Sequence, residues 1–347
     1  MRFNDSNNTT ASLPDYNDDT IVSYQVLGIV QIVNNIILNG AVCLVGMVVN
    51  IINMIIFVQQ GLDNTVNIAM FAISLSEWCS LVTLEWLNIN SNKFMHKADV
   101  PFEPADVGFL FGSWPHACFV QITIWMTIYV TGERFVCIAF PLKVKQIVTP
   151  FRTKIVVTCI YLLMFVNFSP MYVLFYLGDT LCPGRNETRV GLIFRVSIPW
   201  RLGEQVHVVA LVIRFAGFIT LIILTCVLVI TVKKKSDWRK RSTMDGEKSK
   251  KITARDAKTM KMVSLIAGTL IICTAADYIF AVVKYIMPEY NRGVKNEHIM
   301  YISMSFTYLS EAISSTVNII FFYKMSTKFR HQFHELFVKC RCSCQRG

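Results

Sequence analysis

Charge is what this chain has least of. Only 16% of its 347 residues are Asp, Glu, Lys or Arg, against 53% hydrophobic, where an ordinary soluble domain carries about 25% charged residues. Mean hydropathy is +0.46. That balance argues against one large aqueous core and fits a chain dissolved in lipid. Residues 1–24 are polar and acidic and lack the charged start and apolar centre of a signal peptide, so the first transmembrane helix is expected to direct insertion. Internal repeats and low-complexity tracts are also missing. Without inverted repeats or paired broken helices, a transporter or channel is the weaker alternative. The six His are scattered and no nucleophile–base pairing is visible, so an intramembrane hydrolase, and an enzyme generally, is not expected.

The charge that is present is basic in balance, 34 Lys and Arg against 23 Asp and Glu, for a net +11. The basic residues gather in a few segments between apolar runs instead of tracing a groove, which excludes nucleic acid as the expected partner and favours membrane lipid. A spanning helix needs about 20 mainly apolar residues. Seven stretches meet this: 28–59, 66–90, 107–140, 153–178, 206–232, 259–287 and 298–323. The expected fold is an all-α membrane protein: an N-terminal tail over 1–27, a seven-transmembrane helix bundle over 28–323, and a short amphipathic eighth helix with a Cys-rich tail over 324–347.

Loop charge sets the orientation. Lys143, Lys145, Arg152 and Lys154 follow the third span, K-K-K-S-D-W-R-K-R begins at Lys233 after the fifth, and Lys324, Lys328 and Arg330 follow the seventh. The positive-inside tendency makes these segments cytoplasmic and the N-terminus extracellular, in a multi-pass plasma-membrane protein. Glycosylation sequons at Asn4, Asn7, Asn8 and Asn186 all fall on segments placed outside, in agreement.

With that topology, Glu133 and Arg134 sit at the cytoplasmic end of the third span, just after the uncharged run F-V-Q-I-T-I-W-M-T-I-Y-V. Two readings stand side by side: an interfacial anchor that snorkels, and a switch in which Arg134 is held by Glu133 and by Asp256 at the start of the sixth span, then released to a partner protein. Toward the outer half lie His116, Gln121, Arg214, Asp277, Tyr278, Lys284, Tyr308 and Glu311. Intramembrane ionisable residues face the bundle interior and are functional candidates. Either Arg214 and Asp277 simply pair, or Arg214 receives a ligand carboxylate while Asp277 or Glu311 receives an amine, as suits a peptide or amino-acid-like ligand. Beyond the seventh span, Phe329, Phe333, Leu336 and Phe337 recur at helical spacing among Lys and Arg, forming a surface helix. Cys340, Cys342 and Cys344 follow it as palmitoylation candidates; their C-x-C-x-C spacing is poor for zinc.

The chain resembles the rhodopsin-like (class A) G-protein-coupled receptors. E-R-F resembles the D-R-Y motif, with Phe135 for Tyr. Asn50 resembles the first-helix asparagine, Glu77 stands where the family has Asp, and S-S-T-V-N-I-I-F-F-Y resembles N-S-x-x-N-P-x-x-Y. In that last motif Asn318 is kept, Ile319 replaces Pro, and Phe322 replaces Tyr beside Tyr323. The stretches W-P-H-A-C-F and E-R-F-V-C-I-A-F-P-L-K-V-K look most like gastropod chemosensory receptors, which are related to invertebrate peptide receptors.

The resemblance implies an extracellular ligand, a heterotrimeric G protein inside, and a switch built from Glu133, Arg134, Asp256, Asn318 and Tyr323. It also implies an allosteric sodium ion among Glu77, Thr123, Ser314, Ser315 and Asn318, the alternative being a neutral hydrogen-bonded core. C-T-A-A at Cys273–Ala276 departs from the family's C-W-x-P. The family's outer disulfide leaves Cys118 and Cys182 as its candidates, although Cys118 lies only about 24 Å above Arg134 at about 1.5 Å per residue. Retinal is argued against because no Lys lies between Glu297 and Tyr323, and biogenic amines because His116 holds the third-helix acid position.

Overall fold

A computed structural model describes residues 23–140, 143–182, 187–197, 199–241, 247–287 and 297–344. Helix α1 runs Tyr24–Val30, continues as a π-helical stretch Gln31–Asn39, and resumes over Gly40–Gln59. It stops at Gly61, whose φ of 89° is a left-handed conformation that glycine adopts without penalty. Helix α2, Thr65–Asn90, starts at Asn64, whose side chain accepts the Val66 amide at 2.9 Å. Helix α3 comprises Pro104–Gly108, a π turn Phe109–Ser113 and Trp114–Ala139. Helix α4 begins at Pro150, capped by Thr149, and is interrupted between Phe168 and Pro170, where proline offers no amide to the ladder. Helices α5 (Trp200–Arg241), α6 (Glu247–Ile286), α7 (Glu297–Met325) and α8 (Thr327–Cys344) complete the order.

Six of the described helices, α1 to α6, are long and apolar enough to cross a membrane. The seventh, α7, is 29 residues long, and its hydropathy is lowered by Ser305, Thr307, Glu311, Ser314 and Asn318, all buried against its neighbours. Helix α2 lies between α1 and α3, α3 packs on α5, and α7 packs on α6 and α1, which closes the ring. The core joins Ile73, Ile122, Met126, Met164, Leu228 and Val263. The opposite faces stay apolar and open: on α4 Leu162, Leu163 and Val166 are exposed, and on α6 Ile272 and Ile279. Such rows are stable against acyl chains and unstable against water. The protein is a seven-helix, multi-pass membrane bundle, as the composition implied.

Two sequence expectations are corrected here. The fourth span does not run to residue 178: it ends at Leu174, and Phe175–Cys182 (β1) and Glu187–Phe194 (β2) form an antiparallel hairpin with Gly178 opposite Gly191. The second concerns the disulfide. Cys118 is a free, buried thiol packed in the α3 core, whereas Cys182 closes β1 at the far end of the hairpin. The side chains of Cys182, Asp256, Cys340, Cys342 and Cys344, and all of Asn4, Asn7, Asn8 and Asn186, lie outside the described residues.

Small residues set the closest helix approaches, as is usual in membranes. A Cβ on Gly112 would lie 2.8 Å from Leu87 Cβ and 3.0 Å from Leu87 Cα and N. Because backbone cannot yield, Gly112→Ala is expected to cost about 1–3 kcal/mol of overpacking. Gly132 has nothing within 4 Å, so Gly132→Ala gains about 0.5–1 kcal/mol of helix propensity. Thermal denaturation of the solubilised protein should therefore move in opposite directions for the two variants. Equal midpoints would contradict the α2–α3 contact.

Candidate functional site

Three polar layers stack along the bundle, from the hairpin end to the α8 end. The first joins α3 to α7. His116 Nε2 meets Glu311 Oε2 at 2.8 Å, while His116 Nδ1 lies 2.9 Å from Ser80 Oγ and 3.0 Å from the Ser80 carbonyl oxygen on α2. The carbonyl can only accept, so it favours a proton on Nδ1. His116 is 3% and Glu311 6% exposed, and the Tyr308 ring stands edge-on to the imidazole at 5.5 Å. A second cluster in the same half joins α5 to α6. Arg214 pairs with Asp277 and lies over the Tyr278 ring at 5.2 Å. The Tyr278 hydroxyl donates to the Arg214 carbonyl at 3.3 Å and accepts from Gln121 Nε2 at 3.2 Å, and its ring stacks on Phe218 at 4.0 Å. Lys284, on the same helix as Asp277 and Tyr278, lies over the Phe280 ring at 5.1 Å.

Seven of the eight candidate ligand residues thus fall into two interhelical clusters, and the eighth, Lys284, lies over the Phe280 ring on α6. Arg214 and Asp277 do pair, which the sequence had left as one of two readings. His116 and Glu311 also pair, 195 positions apart in sequence, and no local periodicity announces that.

Below lies a small cavity lined by Ser80, Val120, Thr123, Leu270, Thr274, Glu311, Ser314 and Ser315. Thr274 stands where the resembled family has Trp, so a hydroxyl takes the place of an indole. Thr123 and Thr274 donate their hydroxyl protons to the carbonyls of Phe119 (3.1 Å) and Leu270 (2.7 Å) on their own helices, which leaves lone pairs for other partners. Thr123, Ser314 and Ser315 of the expected sodium set border this space. Glu77 does not: its Oε1 accepts from Asn318 Nδ2, and its Oε2 is buried without a hydrogen-bond partner. Asn50 holds α1 to α7 by donating to the carbonyls of Gly46 and Ser315, each at 3.0 Å.

At the α8 end Glu133 Oε1 accepts from Thr65 Oγ1 at 2.6 Å and from Arg134. Thr65 opens α2 and was not singled out from sequence. The side chain of Arg134 is 14% exposed and that of Glu133 1%. Glu133 Oε2 and Arg134 Nε are buried without hydrogen-bond partners. Tyr323 is partly buried against α8, its hydroxyl 3.0 Å from His334 Nε2 and its ring 5.4 Å from that of Phe333. The inward position belongs to Phe322, which meets Phe57 edge-on at 5.1 Å and Phe329 at 5.6 Å. Lys328 of α8 donates to the Gln60 carbonyl at 3.2 Å.

Residues 37–340 match the protein family described as Serpentine type 7TM GPCR chemoreceptor Srw. No curated protein matches the chain.

Removing one partner of a buried pair leaves an uncompensated group, at a cost of about 3–5 kcal/mol. His116→Ala and Glu311→Gln are each expected to lower the thermal midpoint markedly, and the double variant to lose less than the sum of the two. Additive losses in the double-mutant cycle would show that the pair is not coupled.

Proposed function

We propose, on the premise that this chain belongs to the Srw family of serpentine seven-transmembrane G-protein-coupled chemoreceptors, that it binds an extracellular peptide or small chemosensory molecule and activates a heterotrimeric G protein at the plasma membrane. The observation that carries this reading is the pair of interhelical charge clusters, His116–Glu311 across α3 and α7 and Arg214–Asp277 across α5 and α6, at the end of the bundle opposite Glu133–Arg134. A ligand carboxylate competes for Arg214, and a ligand amine for Asp277 or Glu311. Either exchange loosens a contact between two helices. A ligand shifts the helix equilibrium only by binding one arrangement better than the other, and swapped ion pairs supply such a difference. At the far end, Arg134 leaves Glu133 and faces the G protein; Asp256, Asn318 and Tyr323 complete the proposed switch. The family is one of receptors, so neither enzymatic activity nor the transporter or channel alternative is favoured.

Further parts of the reading rest on separate supports. The E-R-F and S-S-T-V-N motifs support a rhodopsin-like placement, and W-P-H-A-C-F the gastropod likeness; the family match itself carries neither. The bare Oε2 of Glu77 beside Asn318, and the hydroxyls of Thr123, Ser314 and Ser315 around the cavity, support an allosteric sodium ion, a hard cation that takes oxygen ligands. The basic loops support an inside that faces anionic lipid and the G protein, and hence an extracellular N-terminus glycosylated at Asn4, Asn7 and Asn8, with Asn186 on the same side. Phe329, fully buried against Phe57 and Phe322, anchors one edge of α8, where palmitoylation at Cys340, Cys342 and Cys344 would add a second anchor.

The test is guanine-nucleotide exchange on a panel of G proteins, in membranes bearing the receptor, against a library of peptides and amino acids. An active compound is expected to lose about tenfold or more of its potency in Arg214→Ala, within the usual range of allosteric coupling. Arg134→Ala should abolish exchange while surface expression persists. A ligand-independent ion current with no exchange in any combination would contradict the receptor reading.

A further inference from the structure

The hairpin between α4 and α5 is attached to the start of α3 by contacts that belong to none of the layers above. The segment Pro101–Glu103 meets the free edge of β2 in a single parallel bridge, Phe102 opposite Val190: Val190 N–H donates to the Pro101 carbonyl at 3.0 Å, and Glu103 N–H donates to the Val190 carbonyl at 2.8 Å. Two residues along the same edge, Leu192 N–H donates to Asp106 Oδ2 at 3.0 Å. Alternate amides of a strand point to one edge, so Val190 and Leu192 are both satisfied by the α3 start and neither is left over for pairing elsewhere. Gly191 makes room between them, because a Cβ there would lie 2.3 Å from Thr180 Oγ1 and 3.0 Å from Asp106 Oδ2. A third contact is electrostatic. Arg189, 5% exposed, reaches Asp99 at 3.6 Å and Glu187 at 3.4 Å.

We propose that these contacts form a non-covalent, releasable strap that holds the hairpin to α3 in place of a disulfide, with Asp106 as its fastening group. The charge-assisted bond at Leu192 is placed in the first turn of α3, where a carboxylate is favoured by the helix dipole. Cys118 is buried about three turns further along the same helix as a free thiol and takes no part. The hairpin leaves α4 at Leu174 and is closed at its base by Arg195 N–H donating to the Leu174 carbonyl at 2.9 Å. Release of the strap therefore frees the hairpin and the first turn of α3, the helix that carries both His116 and Arg134. The proposal stands apart from the ligand and G-protein reading and does not need either to be correct.

Hydrogen–deuterium exchange on the full chain in nanodiscs, followed on peptides covering 187–194 and 101–110, tests it. The reductant tris(2-carboxyethyl)phosphine is expected to leave exchange of the wild type unchanged, and Cys182→Ser likewise. Asp106→Ala is expected to speed exchange across 187–194 by roughly tenfold, the scale of a lost hydrogen bond to a charged group, with the transmembrane peptides unaffected. Asp106→Asn, which keeps an acceptor oxygen, should lose less. Gly191→Ala reaches the same opening by displacing the carboxylate, and serves where the Asp106 variants do not express. Opening of the hairpin by the reductant or by Cys182→Ser alone overturns the proposal, and so does unchanged exchange in both Asp106→Ala and Gly191→Ala.

Discussion

In hydrocarbon a polar group finds its partner inside the protein or nowhere, and that constraint organises this molecule. An ionised side chain at the centre of a spanning helix costs about 2.5–3.5 kcal/mol on insertion scales. The chain nevertheless places His116, Glu311, Arg214, Asp277, Glu77, Glu133 and Arg134 on its helices, and each one is matched across a helix boundary or to an adjacent residue. Each match is also a measure of helix position. His116–Glu311 holds α3 to α7, Arg214–Asp277 holds α5 to α6, and Thr65–Glu133 holds α2 to α3. A bundle whose polar contacts are interhelical cannot move a helix without exchanging partners, and a ligand that offers replacement partners makes that exchange favourable.

The two ends of the bundle differ in how they are closed. At the hairpin end, glycine contacts between α3 and α2 and the strand pairing at Val190 hold the helix mouths together through backbone. At the other end the closure is made of side chains: Phe57, Phe322 and Phe329 clasp α8 to α1 and α7, and Lys328 ties α8 to the turn after α1. Side-chain contacts exchange on faster timescales than backbone ladders open. That places the more adaptable surface next to Glu133 and Arg134.

Much of this architecture was legible in the sequence because lipid simplifies the code. Long neutral runs mark the spans, and basic clusters mark the turns between them. The α7 span was found by length even though its polar face lowers its hydropathy. The hairpin was missed because F-Y-L-G-D-T-L-C continues the apolar run of α4, and nothing local shows that the ladder stops after Leu174. Among site residues, Arg214 and Asp277 were readable as neighbours because both are bare charges in apolar runs. His116 and Glu311 were each singled out, but their union is a fact of helix packing. Thr65 gave no signal at all, since a Thr at a helix start reads as an ordinary helix boundary. The Phe322–Tyr323 exchange turns on about 100° of rotation per residue, so one step moves a side chain from the core to the α8 side.

The central claim is an odd number of crossings, with Glu311 and Asn318 inside the seventh. Counting six spans by hydropathy would put both termini on one side of the membrane, whereas counting seven separates them. Epitope tags at the two ends, probed with antibody on intact and then permeabilised cells, decide the matter. The account predicts that the N-terminal tag is reached on intact cells and the C-terminal tag only after permeabilisation. Both tags reached on intact cells, or both only after permeabilisation, would contradict it.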